Sequence, residues 1–117
     1  MSYDIELQYP VTGRTLELDT PHQMHGGTYA LGGTKEAELN ITYNYAPFYY
    51  KLLGEKGIRE IYGKTGAETI PILQNAINSL GDDVDNYWTP TEGNAKRALI
   101  QLLTLAKMRP DGVWNGD

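Results

Sequence analysis

The sequence predicts an α+β fold, with a small antiparallel sheet of three to four strands from the N-terminal half packed against C-terminal helices. Three observations carry that prediction. Apolar and polar residues alternate with period two in the first 45 positions, apolar residues recur at helical spacing after Ala46, and strands do not alternate with helices as a parallel sheet would need. At 117 residues with 40% apolar and 21% charged residues, the chain fits one domain spanning 1–117, with an ordinary globular composition.

In YDIELQY, Tyr3, Ile5, Leu7 and Tyr9 alternate with Asp4, Glu6 and Gln8, which marks a strand with one buried face. PVTG at 10–13 supplies a turn, and RTLELD continues the alternation through Leu16 and Leu18, so the two strands are expected to pair as a hairpin. Thr28 to Leu31, bounded by the pairs Gly26-Gly27 and Gly32-Gly33, is expected to be a short strand. EAELNITYNY is the clearest strand: Ala37, Leu39, Ile41, Tyr43 and Tyr45 on one side, and Glu36, Glu38, Asn40, Thr42 and Asn44 on the other.

Pro47 suits a first helical turn, and APFYYKLL predicts a short helix near 47–53, with another near 57–62 between glycine stops. Thr65 and Glu68 form a capping box before Ile70, Leu73, Ile77 and Leu80, predicting a helix over 66–80. For the last helix, Thr89 is expected to cap, with Pro90 at the first position and Glu92 completing a capping box. The stripe of Ala95, Ala98, Leu99, Leu102, Leu103 and Ala106 follows. Arg109-Pro110-Asp111-Gly112 stops it, and Val113 and Trp114 are expected to fold back onto the domain.

The absence of cysteine excludes disulfides, thiolate nucleophiles and cysteine-type zinc sites. The N-terminus lacks a basic start and an apolar h-region, and no apolar run approaches the ~20 residues of a bilayer span, so no membrane association and a cytoplasmic location in a bacterial host cell are expected. A net charge of -5 argues against direct nucleic-acid binding.

Candidate chemistry is sparse. His22 and His25, with a nearby carboxylate such as Asp19, Glu36 or Glu38, could ligate a metal for hydrolysis, yet a catalytic zinc site draws three protein ligands and the chain has two histidines. No metal or other cofactor is therefore expected. The glycine pairs could nest an anion through backbone N–H groups, though their spacing is not that of a dinucleotide fingerprint. GKTG at 63–66 misses the P-loop spacing by one residue and reads better as a helix stop and cap. Asp82, Asp83 and Asp85 fail the calcium-loop pattern and read as a solvated helix connection able to contact a basic partner. No nucleophile motif is present, so no catalytic residue is assigned.

A binding surface remains. The chain has nine tyrosines against one phenylalanine. Tyr43, Tyr45, Tyr49 and Tyr50 cluster with Asn40, Thr42 and Asn44 at one strand-to-helix junction, a composition suited to stacking and hydrogen bonding. With MSYDIEL at the start, LNITYNY in the middle, and GNAKRALIQLL and MRPDGVWNGD at the end, the chain resembles small uncharacterised proteins of bacterial phages and prophages. The resemblance implies a non-catalytic binding protein acting on a host protein, for example an inhibitor of bacterial defence such as an anti-CRISPR protein. The alternatives are sequestration of a small anionic, nucleotide-like ligand and a metal-dependent hydrolase at His22 and His25.

Overall fold

Alternation puts Tyr3, Ile5 and Leu7 of the first strand, β1 (Ser2–Gln8), into the core, as expected. The computed structural model describes residues 1–22 and 34–117. The expected strand Thr28 to Leu31, His25 and both glycine pairs lie outside the described residues.

The elements that follow are β2 (Glu17–His22), β3 (Thr34–Glu36), β4 (Glu38–Thr42), α1 (Ala46–Leu53), α2 (Gly66–Asn78), α3 (Glu92–Met108) and β5 (Val113–Gly116). Short 3-10 turns occupy Tyr43–Tyr45 and Gly57–Ile61. The main sheet is antiparallel in the order β4-β1-β5, and β2 and β3 form a separate two-stranded sheet. This is the α+β architecture expected, with one strand of the main sheet drawn from the C-terminal end of the described chain. No helix among the described residues is long and apolar enough to cross a membrane.

The expected pairing of β1 with β2 needs correction. The turn itself forms, with the Tyr9 N–H donating to Arg14 O (2.8 Å) and the Leu16 N–H to Leu7 O (2.8 Å). Beyond Leu16 the two strands part, because β4 already pairs with Ser2 to Glu6 of β1. Leu7, Leu16 and Ala37 mark the branch point: Leu7 N–H donates to Ala37 O and Ala37 N–H to Leu16 O. β2 then pairs with β3 instead.

The long strand predicted for EAELNITYNY also ends early. The Thr42 hydroxyl accepts the Asn44 N–H at 3.3 Å and caps a 3-10 turn, so Tyr45 reaches the core through a helical turn rather than through the pleat. α2 starts as predicted, with both halves of the Thr65/Glu68 capping box formed. α3 begins later than predicted. Thr91 caps it by accepting the Asn94 N–H, Pro90 lies outside the helix, and Glu92, its first residue, accepts the Gly81 N–H across the loop.

The inner face of the sheet packs with Leu73 and Ile77 of α2, Leu99 and Leu102 of α3, and Tyr49 of α1 into one core. Trp114 of β5 is wholly buried, and its indole N–H donates to Thr69 Oγ1 at 2.8 Å. The GKTG segment runs beside β5: Gly63 N–H donates to Trp114 O and Trp114 N–H to Lys64 O, both at 2.9 Å. These residues extend the sheet edge.

Candidate functional site

The residues singled out at the strand-to-helix junction separate into four groups. Asn40 and Thr42 stabilise the sheet: the Asn40 amide donates to Ser2 Oγ (2.8 Å) and Asp4 Oδ1 (2.6 Å), and Thr42 is the cap already described. Tyr43 and Tyr50 both lie beside Tyr3 of β1. The Tyr43 ring meets Tyr3 edge-on at 4.5 Å, with the Arg59 guanidinium over both rings, while Tyr50 is exposed and lies against Gly57, where a Cβ would crowd its ring. Tyr49 is fully buried and donates to Ala95 O at 3.0 Å. Burial holds its hydroxyl well above the ordinary phenol range, so it is a neutral donor tying α1 to α3.

Asn44 and Tyr45 form the fourth group, and they lead to the acidic loop. The Asn44 amide donates to Trp88 O at 2.6 Å, and the Tyr45 hydroxyl donates to Tyr87 O. The junction is therefore bonded to the loop that carries Asp82, Asp83 and Asp85. At its tip Tyr87 and Trp88 meet edge-on with ring centroids 4.9 Å apart, and Trp88 is 51% exposed. Val84, earlier in the same loop, is exposed as well.

This loop is held from beneath. Asn94, 2% exposed in the first turn of α3, donates to Asn86 O (2.9 Å) and Thr89 O (3.0 Å), using both amide hydrogens. Its oxygen accepts from the Arg97 guanidinium at 3.1 Å, which fixes the amide orientation. Gly93 N–H donates to Asp83 O at 3.0 Å, and an added Cβ at Gly93 would collide with that carbonyl. The carbonyls of Asp83, Asn86, Tyr87, Trp88 and Thr89 thus all have donors from the body of the domain. Polar backbone turns inward and the aromatic side chains are left outside.

The carboxylates differ in their surroundings. Asp82 pairs with Lys96 at 2.7 Å while remaining 88% exposed at its side chain, and Asp85 accepts the Asn86 N–H. At the foot of the loop, Phe48, Lys51 and Leu52 of α1 face Ser79, Leu80 and Glu92 across a pocket of about 300 Å³. A broader concavity of about 490 Å³ lies at the β1–β2 turn, but a single stretch, residues 9–17, supplies its whole lining. The smaller pocket joins three elements and adjoins the aromatic loop.

His22 lies elsewhere, at the end of β2, where its Nε2 donates to Glu36 O at 2.7 Å. Among the described residues no group of three or more histidines, aspartates or glutamates is placed to hold a metal ion. The outward sheet face is acidic, with Glu6 of β1 directly opposite Glu38 of β4. Partial burial, then Glu36, Glu6 and Asp4, raise the Glu38 pKa above the ordinary carboxylate value. A raised folded-state pKa means that the charged form opposes folding, so stability is favoured below the ordinary value and lost as pH rises through the folded one. Glu38→Gln is accordingly expected to stabilise by ~0.5 kcal/mol at neutral pH, with solvent screening of this half-exposed group included. The gain should vanish as Glu38 protonates in the wild type, which urea midpoints at pH 7 and pH 4 would reveal.

Sequence reasoning reached the acids of the loop and the junction beside it, but missed Tyr87, Trp88 and Asn94. The usable signal was an aromatic pair in a polar helix connection, DVDNYWTP, where core packing does not call for it. No protein-family model, curated protein or solved structure matches this chain.

Proposed function

We propose that the protein is a non-catalytic binding protein that acts on another protein through the surface of residues 82–88. The observation that carries this reading is the exposure of Trp88 and Tyr87 on a loop whose carbonyls are pinned from within. Large aromatic side chains on a pre-organised backbone bind with little ordering cost, and tryptophan and tyrosine dominate interface hot spots. Burying an exposed indole is the gain available here, and the neighbouring aspartates supply orientation and selectivity. In the phage setting that the sequence resembles, the partner is a protein of the bacterial host, and occupying its surface would inhibit it.

Affinity capture from bacterial lysate with wild-type and Trp88→Ala baits, read by mass spectrometry of proteins and small molecules, tests this. A protein captured by the wild type is expected to bind the variant about 30-fold more weakly, corresponding to ~2 kcal/mol at a hot spot. Trp88→Ala should leave the circular dichroism spectrum unchanged, since the side chain is half in water. Equal capture by both baits, or a nucleotide in place of a protein, overturns the reading.

A further inference from the structure

We infer that the pocket at the foot of the aromatic loop seats a short basic segment of the partner, one aliphatic side chain filling the pocket and lysine or arginine residues flanking it. The inference rests on the protein-binding reading above and names the chemistry that this surface would accept.

The pocket and the loop are parts of one surface. Leu80 stands just before the loop and Glu92 just after it, and the bond from Gly81 N–H to Glu92 Oε1 (3.1 Å) closes the loop at its foot. Phe48 and Leu52, one helical turn apart on α1, form the apolar wall opposite Leu80. A space of about 300 Å³ walled by these three suits an unbranched or γ-branched aliphatic side chain. Phe48 and Leu52 themselves are only partly buried, so an incoming side chain would complete their desolvation.

Charge decides the occupant. Residues 81–91 carry Asp82, Asp83 and Asp85 and no basic residue, and Glu92 adds a fourth carboxylate at the rim. Lys96 partners Asp82 and Arg97 is held on the Asn94 amide oxygen, so Asp83, Asp85 and Glu92, which form no ion pair among the described residues, leave the loop with an excess of negative charge for a partner's cations. The whole chain carries -5, which disfavours nucleic acid and a second copy that would bring the same acidic loop. Lys51, on the α1 side of the pocket, works against a basic occupant and provides a test with a definite sign.

The experiment is a titration of ¹⁵N-labelled full chain with an acetylated 12-residue leucine/lysine peptide, and with the same peptide carrying glutamate in place of lysine. Saturable shifts are expected at residues 48–52 and 79–92 with the lysine peptide and none with the glutamate peptide. Ser79→Trp, which fills the pocket from an exposed position, should weaken binding at least ~10-fold, and Lys51→Glu should tighten it about threefold. Binding indifferent to both substitutions, shifts confined to the acidic sheet face around Glu6 and Glu38, or equal binding of the glutamate peptide overturns the inference. So does concentration-dependent shifting of the same residues without peptide, which would make a second copy the occupant. If the captured partner depends on Trp88 but neither competes with the lysine peptide nor senses Ser79→Trp, this inference falls and the binding reading stands. If the peptide seats as described while Trp88→Ala leaves capture unchanged, the reverse holds.

Discussion

Trp114→Ala is expected to remove about 4 kcal/mol of stability, the cost of emptying a large aromatic site in a packed core. For a domain of 117 residues that corresponds to a fall of roughly 15 °C in melting temperature. The indole is wholly buried, and it is polar at one edge: its N–H donates to Thr69 Oγ1, and the Thr69 hydroxyl in turn donates to Gly66 O at 2.9 Å. β5 is thereby tied to the first turn of α2 through side chains, while Gly63 and Lys64 tie it through backbone. Thr69→Val separates the two contributions. It keeps the volume but strands a buried N–H, so it should cost ~1–2 kcal/mol by itself. Urea unfolding of both variants gives the comparison. The intrinsic fluorescence offers a further check, because the two tryptophans report different surroundings: in Trp114→Ala the remaining emission comes from exposed Trp88 and should be red-shifted and open to acrylamide.

What could be read from sequence divides along a physical line. Features set by neighbours in the chain came through: the alternation of β1, the Thr65/Glu68 capping box, and the return of Val113 and Trp114 to the domain. Features set by competition between distant segments did not. Nothing local in RTLELD reveals that β4 will claim the β1 edge, and the hairpin expectation fails for that reason alone. The displaced start of α3 has a similar cause. Thr89-Pro90 and Thr91 both offer capping chemistry, and the choice falls on Thr91, which places Asn94 where its side chain can hold the loop. At the candidate site, composition picked out the tyrosine cluster and the acids, but not that Tyr45 and Asn44 spend their polar groups on the loop carbonyls. A buried hydroxyl used as an anchor and an exposed one used for binding look the same in a sequence. The residues left to face outward, Tyr87 and Trp88, sit in a segment whose composition is dominated by charge, which hides them in the sequence.

Asn94→Ala should consequently have a larger effect on the loop than on the fold. The substitution deletes two short donations to Asn86 O and Thr89 O and the acceptor for Arg97, at about 1 kcal/mol each before water rehydrates the exposed carbonyls. A global loss of ~2 kcal/mol is expected. Locally, amide protection across residues 83–91 should fall toward that of an open loop, while α2 and the centre of α3 keep theirs, a contrast hydrogen exchange resolves. Tyr45→Phe removes one donor, the hydroxyl on Tyr87 O, and should cost ~1 kcal/mol. Because Asn94 and Tyr45 hold one loop from two sides, the double variant should lose less than the sum of the single losses, since a loop already released has less left to lose. Partner affinity provides the decisive contrast. If pre-organisation of Trp88 underlies binding, Asn94→Ala must weaken it although Asn94 itself is buried and touches no partner. Strict additivity in stability together with unchanged affinity would mean that the loop's order contributes nothing to recognition.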